Sequence, residues 1–421
     1  MGGSGKEFGG PAGVAGVVAG LPLVTYVLGD LAAPSCPGAG GAAPDGNGVL
    51  GVLWCSAVGT AEGAALVLGW FALVLGLHLA LPGKRVQGVE LPGGRGRLTY
   101  KLNALPVFAL ILLGAGVGSF GLGALPLDAA YDQFLPLLTA STVFSFALSA
   151  YLYAASFRKG ALLAQEGTTG NVVYDFFMGR ELNPRLGGLD LKEFCELYPG
   201  LIGWAVLNLG MAYKQYKETG GVTNAMVLVN LFQGIYVWDA LWYEPSILTT
   251  MDITTDGFGH MLCYGDLTWV PFTYTLQARY LVTQPEGLSP LAVAGIAGLN
   301  FLGYFMFRGA NGQKDQFRRD PGHPSVAHLK YMPTERGTKL IISGWWGLAR
   351  HINYTGDWLM GLAWCLPCGF GSAVPYFYAV YFAVLLIHRD LRDGHACEQK
   401  YGKDWAKYCS IVKYRLIPGV Y

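Results

Sequence analysis

The sequence predicts an all-α, polytopic integral membrane protein, and three observations predict it. Of its 421 residues 52% are hydrophobic and only 14% charged, against about 25% charged in a soluble domain. The mean hydropathy is +0.35, and 61 glycines suit helices that approach one another closely in lipid. The basic residues, finally, cluster in alternate loops. Lys plus Arg is 29 and Asp plus Glu 28, so the bulk positive charge of a nucleic-acid binder is absent. The apolar content excludes disorder, and eight cysteines in so long a chain do not make a disulfide scaffold.

Crossing roughly 30 Å of hydrocarbon takes about 20 apolar residues. The candidate spans are 12–33, 56–82, 103–125, 134–157, 200–213, 224–243, 258–278, 288–307, 340–371 and 374–388, about ten transmembrane helices. The fifth is short. The ninth is interrupted by Arg350, His351, Asn353 and Asp357, which suggests two half-helices with a polar kink. The first 15 residues hold Lys6 and Glu7 but no cleavable pattern, so no secretory signal peptide is expected.

Charge tests this count. Of the 29 basic residues, 25 are Lys6 or fall in 83–101, 158–199, 308–339 and 389–421, each range following an even-numbered span. The loops after spans one and three have none. The positive-inside rule then places both termini and the four basic loops in the cytosol. Lys214, Lys217 and Arg279 fall on the other side. The stretches 83–101 and 34–50 read as connectors. Cys36 and Cys55 flank the second of these, either as a pair in an oxidising compartment or as two free thiols.

Ionisable groups inside spans are costly and therefore functional candidates. Tyr236, Asp239, Glu244, Asp252, Asp256, His260, Tyr264 and Asp266 form one concentration, with no Lys or Arg among them. An apolar setting without cations raises carboxyl pKa values, and a protonated acid at neutral pH is what donation to carbon requires. Singly, each also suits a helix cap or the membrane surface. Tyr236, Glu244 and Asp256 are the catalytic candidates. Gly257 and Gly259 beside Asp256 would let a flat ring approach, and Tyr236 and Glu244 are two helical turns apart. A second concentration is basic and aromatic: Lys314, Arg318, Arg319, Trp345, Trp346, Arg350, His351, Asn353, Tyr354, Asp357, Arg389, Arg392, Asp393, Cys397, Tyr401 and Tyr408. Guanidinium groups grip phosphate and aromatic faces stack on planar rings, so a phosphorylated, nucleotide-like ligand suits it better than anionic lipid alone.

Other signals point nowhere. Gly116-Val-Gly118-Ser-Phe-Gly121 matches the dinucleotide fingerprint but lies in an apolar span without a preceding strand. With Gly114 it reads as a helix-packing face. Cys365-Leu-Pro-Cys368 lacks a second pair, and the seven histidines are scattered, so no metal site is expected. Asn353-Tyr354-Thr355 fits the glycosylation pattern on the side expected to be cytosolic. No nucleophile elbow or phosphate-binding loop is present.

The stretch from Leu340 to Asp357, containing Ser-Gly-Trp-Trp-Gly-Leu-Ala-Arg-His-Ile-Asn-Tyr-Thr-Gly-Asp, resembles the signature of the membrane sterol reductases. So do Leu386-Ile-His-Arg-Asp-Leu-Arg-Asp393, Lys400-Tyr-Gly-Lys-Asp-Trp405 and Tyr414-Arg-Leu-Ile-Pro-Gly419. That family holds Δ14-, Δ7- and Δ24(28)-sterol reductases and the membrane part of the lamin B receptor. Glu7-Phe-Gly-Gly-Pro11, Tyr174 to Arg185 and Cys195 to Gly200 resemble the Δ14 branch best. About eleven residues precede the first span, so no chromatin-binding role is expected.

The resemblance implies a single domain over 1–421, with N-terminal helices in 12–220 and a catalytic, NADPH-binding half in 221–421. It implies an endoplasmic reticulum membrane and a sterol substrate drawn from the bilayer. Carried over by motif, the NADPH contacts fall on Lys314, Arg318, Ile341, Trp346, Asn353, Tyr354, Arg389, Asp393, Cys397, Tyr401 and Tyr408. The implied reaction is reduction of a Δ8,14-sterol: protonation at carbon 15, a tertiary allylic cation at carbon 14, then hydride from NADPH. The alternatives are a Δ7- or Δ24(28)-sterol reductase and a non-catalytic scaffold with the same fold.

Overall fold

The computed structural model describes residues 7–33 and 60–421, so Lys6, Cys36 and Cys55 lie outside the described residues. The chain forms two compact units, Met1–Pro285 and Glu286–Tyr421. Helix predominates. Among the described residues six helices are long and apolar enough to cross a membrane; the protein is an integral membrane protein.

In the first unit the long helices are α1 (Gly10–Ala32), α2 (Thr60–Ala80), α3 (Ala104–Gly116), α4 (Phe134–Ala155), α5 (Gly203–Thr219) and α6 (Asn224–Trp242). The short fifth span has a local cause. Helical structure begins at Leu191 and runs through a π-turn, Glu196–Ile202, into α5. Pro199 inside that turn has no N–H to give the ladder. The first residues of this run are charged yet buried, which hid them from a hydropathy count. A further broken helical run covers 260–282.

Residues 83–101 are more than a connector. Strands β1 (Lys84–Glu90) and β2 (Arg97–Leu102) pair antiparallel, with Val86 opposite Tyr100. Alternation supplies the reason: Leu98, Tyr100 and Leu102 point one way and join Leu248 and Ile253 in an apolar cluster. The all-α reading therefore needs this hairpin added, along with two shorter antiparallel pairs. Gly114 and Gly116 face open space, and Gly118 meets only Leu125 of its own connection, so the expected packing face is not present there. Helix α4 packs instead through serines. Ser141, Ser145 and Ser149, four residues apart, reach Leu267 O, Thr268 and His260.

The segment ends sort into two sets. Asn103 donates to the carbonyls of His78 and Leu81, Tyr198 donates to Asn103 at 2.6 Å, and the Ala104 N–H donates to Glu244. In the other set Lys214 pairs with Asp132 at 2.7 Å and Lys217 with Asp128 at 2.5 Å. Arg279, 1% exposed, donates to the carbonyls of Gly29, Tyr131 and Ala33. The three basic residues that broke the charge parity are thus each neutralised or buried.

The second unit holds α7 (Pro290–Arg319), β3 (Tyr331–Pro333), β4 (Lys339–Ile341), α8 (Ile352–Cys365), α9 (Phe377–Tyr401) and α10 (Lys403–Ile411). Ser289 caps α7 and Pro290 opens it. Helices α7 and α8 cross in backbone contact at Gly303 and Gly356. A methyl on either would stand 2.6–2.7 Å from the other's carbonyl oxygen. The stretch 340–371 is not two half-helices. It opens with β4, makes one helical turn at Trp345–Leu348, and becomes α8 only at Ile352. The break at Arg350 and His351 has its own partners, since their N–H groups donate to the carbonyls of Tyr414 and Arg415.

Candidate active site

The acidic stretch in the first unit does not stand without cations. Lys192, 1% exposed, donates to the carbonyls of Asp256 at 2.7 Å and Ile253 at 3.3 Å. Asp190 caps the helix start by accepting from the N–H groups of Lys192 and Glu193. Burial pulls the Lys192 ammonium down to about 8, against the upward pull of Asp190, Asp256, Asp252 and Glu196. Burial and the neighbouring acids push the Glu193 carboxyl well up. Sequence reasoning missed Lys192 by counting it as a loop charge; the Asp-Leu-Lys-Glu capping pattern was the available signal.

The three catalytic candidates have different surroundings. Tyr236 lies on α6 with its ring 6.2 Å from that of Trp204. Helix α6 ends at Trp242, so the helical spacing from Tyr236 stops short of Glu244. Glu244 instead begins a 3₁₀ turn and turns back onto the start of α3, accepting from the Ala104 N–H at 3.2 and 3.3 Å. Burial raises its carboxyl to about 7, against the N–H groups of Ala104 and Asn103, which lower it. Asp256 is 3% exposed. Its glycine neighbours serve the backbone rather than a ring ligand. A methyl on Gly257 would fall on the Gly179 carbonyl, and one on Gly259 on the Gly179 N.

In the second unit, Asn311, Lys314 and Arg318 share one face of α7 at spacings of three and four. Arg389, Asp393, Cys397 and Tyr401 form a stripe on α9 at spacings of four. Gly344, at φ +60, turns the chain after β4. Trp346 then donates to the Ala310 carbonyl at 2.8 Å, with the Lys314 ammonium 4.2 Å over its ring. Tyr354 donates to Asp393 at 2.9 Å and stacks on His351 at 4.8 Å. Asn353 bonds to Asn311 at 3.2 Å, leaving its own buried Oδ1 without a partner. Burial and Asp393 raise the Cys397 thiol while Lys314 lowers it, which ties the two stripes together.

Ile341 and Tyr408 are buried in two apolar clusters, the first with Trp346 and the second with Met332 and Val412. Burial pushes the Tyr408 hydroxyl up. Arg318 is exposed and Tyr401 half-buried. Among the described residues no hydrogen bond or ion pair from either side chain reaches the others. Asp393 acts on the Lys314 ammonium from nearby, but neither Lys314 nor Arg318 makes an ion pair with a carboxylate among the described residues, so both are available to an anion. Sequence reasoning missed Asn311, Asp390 and Arg415. Asp390, 1% exposed, takes Arg415 at 2.6 Å and His351 at 3.5 Å, which joins the C-terminal Tyr-Arg-Leu-Ile run to α9. No group of three or more His, Cys, Asp or Glu able to hold a metal occurs among the described residues.

Comparison with known proteins gives these residues a context. Residues 4–421 match the family described as the Ergosterol biosynthesis ERG4/ERG24 family. A Delta(14)-sterol reductase of Schizosaccharomyces pombe is 52% identical over 85% of this chain and 84% of its own. One of Ascobolus immersus is 45% identical over the full length of both, and one of Mus musculus 49% over 99% and 97%. The chain belongs to the ERG4/ERG24 family of ergosterol biosynthesis.

Proposed function

We propose that this chain is an NADPH-dependent Δ14-sterol reductase, working on Δ8,14-sterols of sterol biosynthesis that it takes from the bilayer. The observation that carries the reading is the cluster of the second unit, in a chain 45–52% identical to enzymes named for this reaction. Lys314 and Arg318 are cations outside any direct carboxylate ion pair, Trp346 and Tyr354 offer flat faces, and Asn353 keeps an orphaned acceptor. These fit a phosphorylated dinucleotide. Lys314, Arg318 and Arg389 would hold its phosphates, Asn353 and Asp393 its ribose or carboxamide, and Ile341, Trp346, Tyr354, Cys397, Tyr401 and Tyr408 its walls. NADPH, when bound, supplies the hydride that ends on carbon 14.

The chain itself supplies the proton. The conjugated Δ8,14-diene has no carbonyl to polarise, so carbon 15 must first accept a proton, leaving a tertiary allylic cation at carbon 14. Glu244 is the leading donor, with Asp256 and Tyr236 behind it, because its carboxyl is buried and holds its proton near neutral pH. All of these residues fall in 221–421, which we read as the catalytic and NADPH-binding part of one domain, with 12–220 as the N-terminal helices. Purified protein given NADPH and a Δ8,14-dienol should yield the Δ8-sterol by mass spectrometry. In deuterated water the label should appear at carbon 15. Saturation of another double bond would favour a Δ7- or Δ24(28)-reductase, and no product a scaffold.

Two further expectations follow from this reading. Arg318→Glu should raise the NADPH Michaelis constant more than about tenfold, because a charge-assisted contact is worth about 1.5–3 kcal/mol; steady-state kinetics on the folded variant check it. The topology read here has ten spans and cytosolic termini in the endoplasmic reticulum membrane, supported by the sorted segment ends and the neutralised Lys214, Lys217 and Arg279. Arg95→Cys and Arg319→Cys, in a background without native cysteines, should both react with an impermeant thiol reagent from the cytosolic face alone.

A further inference from the structure

The start of α8 carries two of the residues assigned to the cofactor, Asn353 and Tyr354. Among the described residues no side chain caps this helix end. The segment after α10 braces it instead. Arg350 and His351 donate their N–H groups to the carbonyls of Tyr414 at 3.0 Å and Arg415 at 2.8 Å. The Thr355 hydroxyl donates to the Leu416 carbonyl at 2.7 Å. Residues 414–416 are thus tied by backbone to the corner from which Asn353 and Tyr354 project.

One side chain of that segment reaches further. Arg415 donates from Nε to Asp390 Oδ2 at 2.6 Å. Asp390 is buried on α9, and its other oxygen lies 3.5 Å from His351 Nε2. The His351 ring stacks on that of Tyr354, with centroids 4.8 Å apart and planes 14° apart. Tyr354 in turn donates to Asp393 at 2.9 Å, one turn further along α9. Gly394 leaves room for the guanidinium, since a methyl there would stand 3.3 Å from Arg415 Nη2. A buried carboxylate is costly unless it is paired. Arg415 is the cation that lets Asp390 stand behind His351.

We propose that Arg415 and Asp390 are positioning residues for the cofactor: through His351 they hold the Tyr354 ring, and its bond to Asp393, in place for the dinucleotide. The inference rests on the NADPH site proposed above. Neither residue is among those assigned to the ligand itself. Truncating Arg415 leaves Asp390 buried without its cation, so the contact behind His351 is lost and the Tyr354 ring is freed to move off Asp393. A binding group serves only while the side chains behind it lock its geometry.

The test measures NADPH binding to the full-length protein in phosphatidylcholine nanodiscs, by the fluorescence of the cofactor, alongside reductase kinetics. Arg415→Met should weaken NADPH binding about tenfold, the smaller loss seen when a group supporting a direct ligand contact is removed. The NADPH Michaelis constant should rise with it, while the sterol Michaelis constant stays unchanged. A merely structural role would lower the active fraction, and so turnover, without moving either constant. Arg415→Lys keeps a cation for Asp390 and should recover most of the loss. In a Tyr354→Ala background Arg415→Met should add less than about twofold, because the ring it positions is gone. The full loss persisting in that background overturns the route through Tyr354. Equal NADPH affinity in wild type and Arg415→Met overturns the positioning role and leaves the proposed function standing. Wild type that binds no NADPH removes that function, and the positioning role with it. Should Arg415→Met fail to fold, Asp390→Asn, which keeps the shape of the side chain and removes its charge, takes its place in each comparison.

Discussion

Replacing Glu244 by Gln is expected to lower turnover about 10²–10⁴-fold, the usual worth of a positioned general acid, while the protein stays folded. The substitution separates the two jobs its carboxyl is placed to do. As a cap, Glu244 accepts from the Ala104 N–H at 3.2 and 3.3 Å, and a glutamine carbonyl can still accept that bond. As an acid it needs a proton, which glutamine cannot give. Burial holds the Glu244 proton up to about pH 7, so wild-type turnover should be full below about pH 7. Above it, turnover should fall about tenfold per pH unit.

The stability term has the same sign. A carboxyl with a folded pKa of about 7, against 4.5 for a free glutamate, contributes stability that is whole below the unfolded pKa. That contribution disappears as pH rises through the folded one. Wild type should therefore lose melting temperature as pH rises from about 4.5 to 7 and lose activity above about pH 7, and the Gln variant should lack that slope in its melting curve. A Gln variant with near-normal turnover would leave Glu244 as a helix cap and pass the proton to Asp256 or Tyr236.

What the sequence made legible follows from which forces act locally. Hydropathy found the long helices because each crosses lipid on its own, so α4 and α6 lie close to where periodicity and length put them. It undercounted α5 because Lys192 and Glu193 are charged residues buried by tertiary contacts, which no window average sees. The hairpin at 84–102 escaped for a related reason: its alternation is short and its apolar partners, Leu248 and Ile253, lie about 150 residues on. The stripe Arg389, Asp393, Cys397, Tyr401 was visible because helical spacing alone puts those side chains on one face. Its junction with Tyr354 and Lys314 was not, since that needs the α7–α8 crossing at Gly303 and Gly356. The glycines after Asp256 were misread because nothing local distinguishes room for a ligand from room for another backbone, here that of Gly179.

Lys192→Met is expected to be the most destabilising of these substitutions, at about 3–5 kcal/mol, the usual cost of taking one partner from a buried charged cluster. The methionine fills the volume of the stem but donates nothing. The carbonyls of Ile253 and Asp256 lose their bonds at 3.3 and 2.7 Å. Asp190, Asp252, Asp256 and Glu196 lose the cation they surround. In thermal melts of the detergent-solubilised protein the midpoint should drop by at least about 5 °C. The pH dependence carries a signature of its own. With a folded pKa of about 8 against 10.5 for a free lysine, the unfolded chain binds more protons between those values. Wild type should accordingly gain stability from Lys192 as pH rises from about 8 to 10.5, and lose it as pH falls back through 8. The Met variant should lack that slope. Turnover should suffer as well, because the Lys192 amine holds the backbone of Asp256, one of the three donor candidates. A variant with an unchanged midpoint and an unchanged alkaline slope would show that Lys192 neither bonds those carbonyls nor neutralises the acids around it.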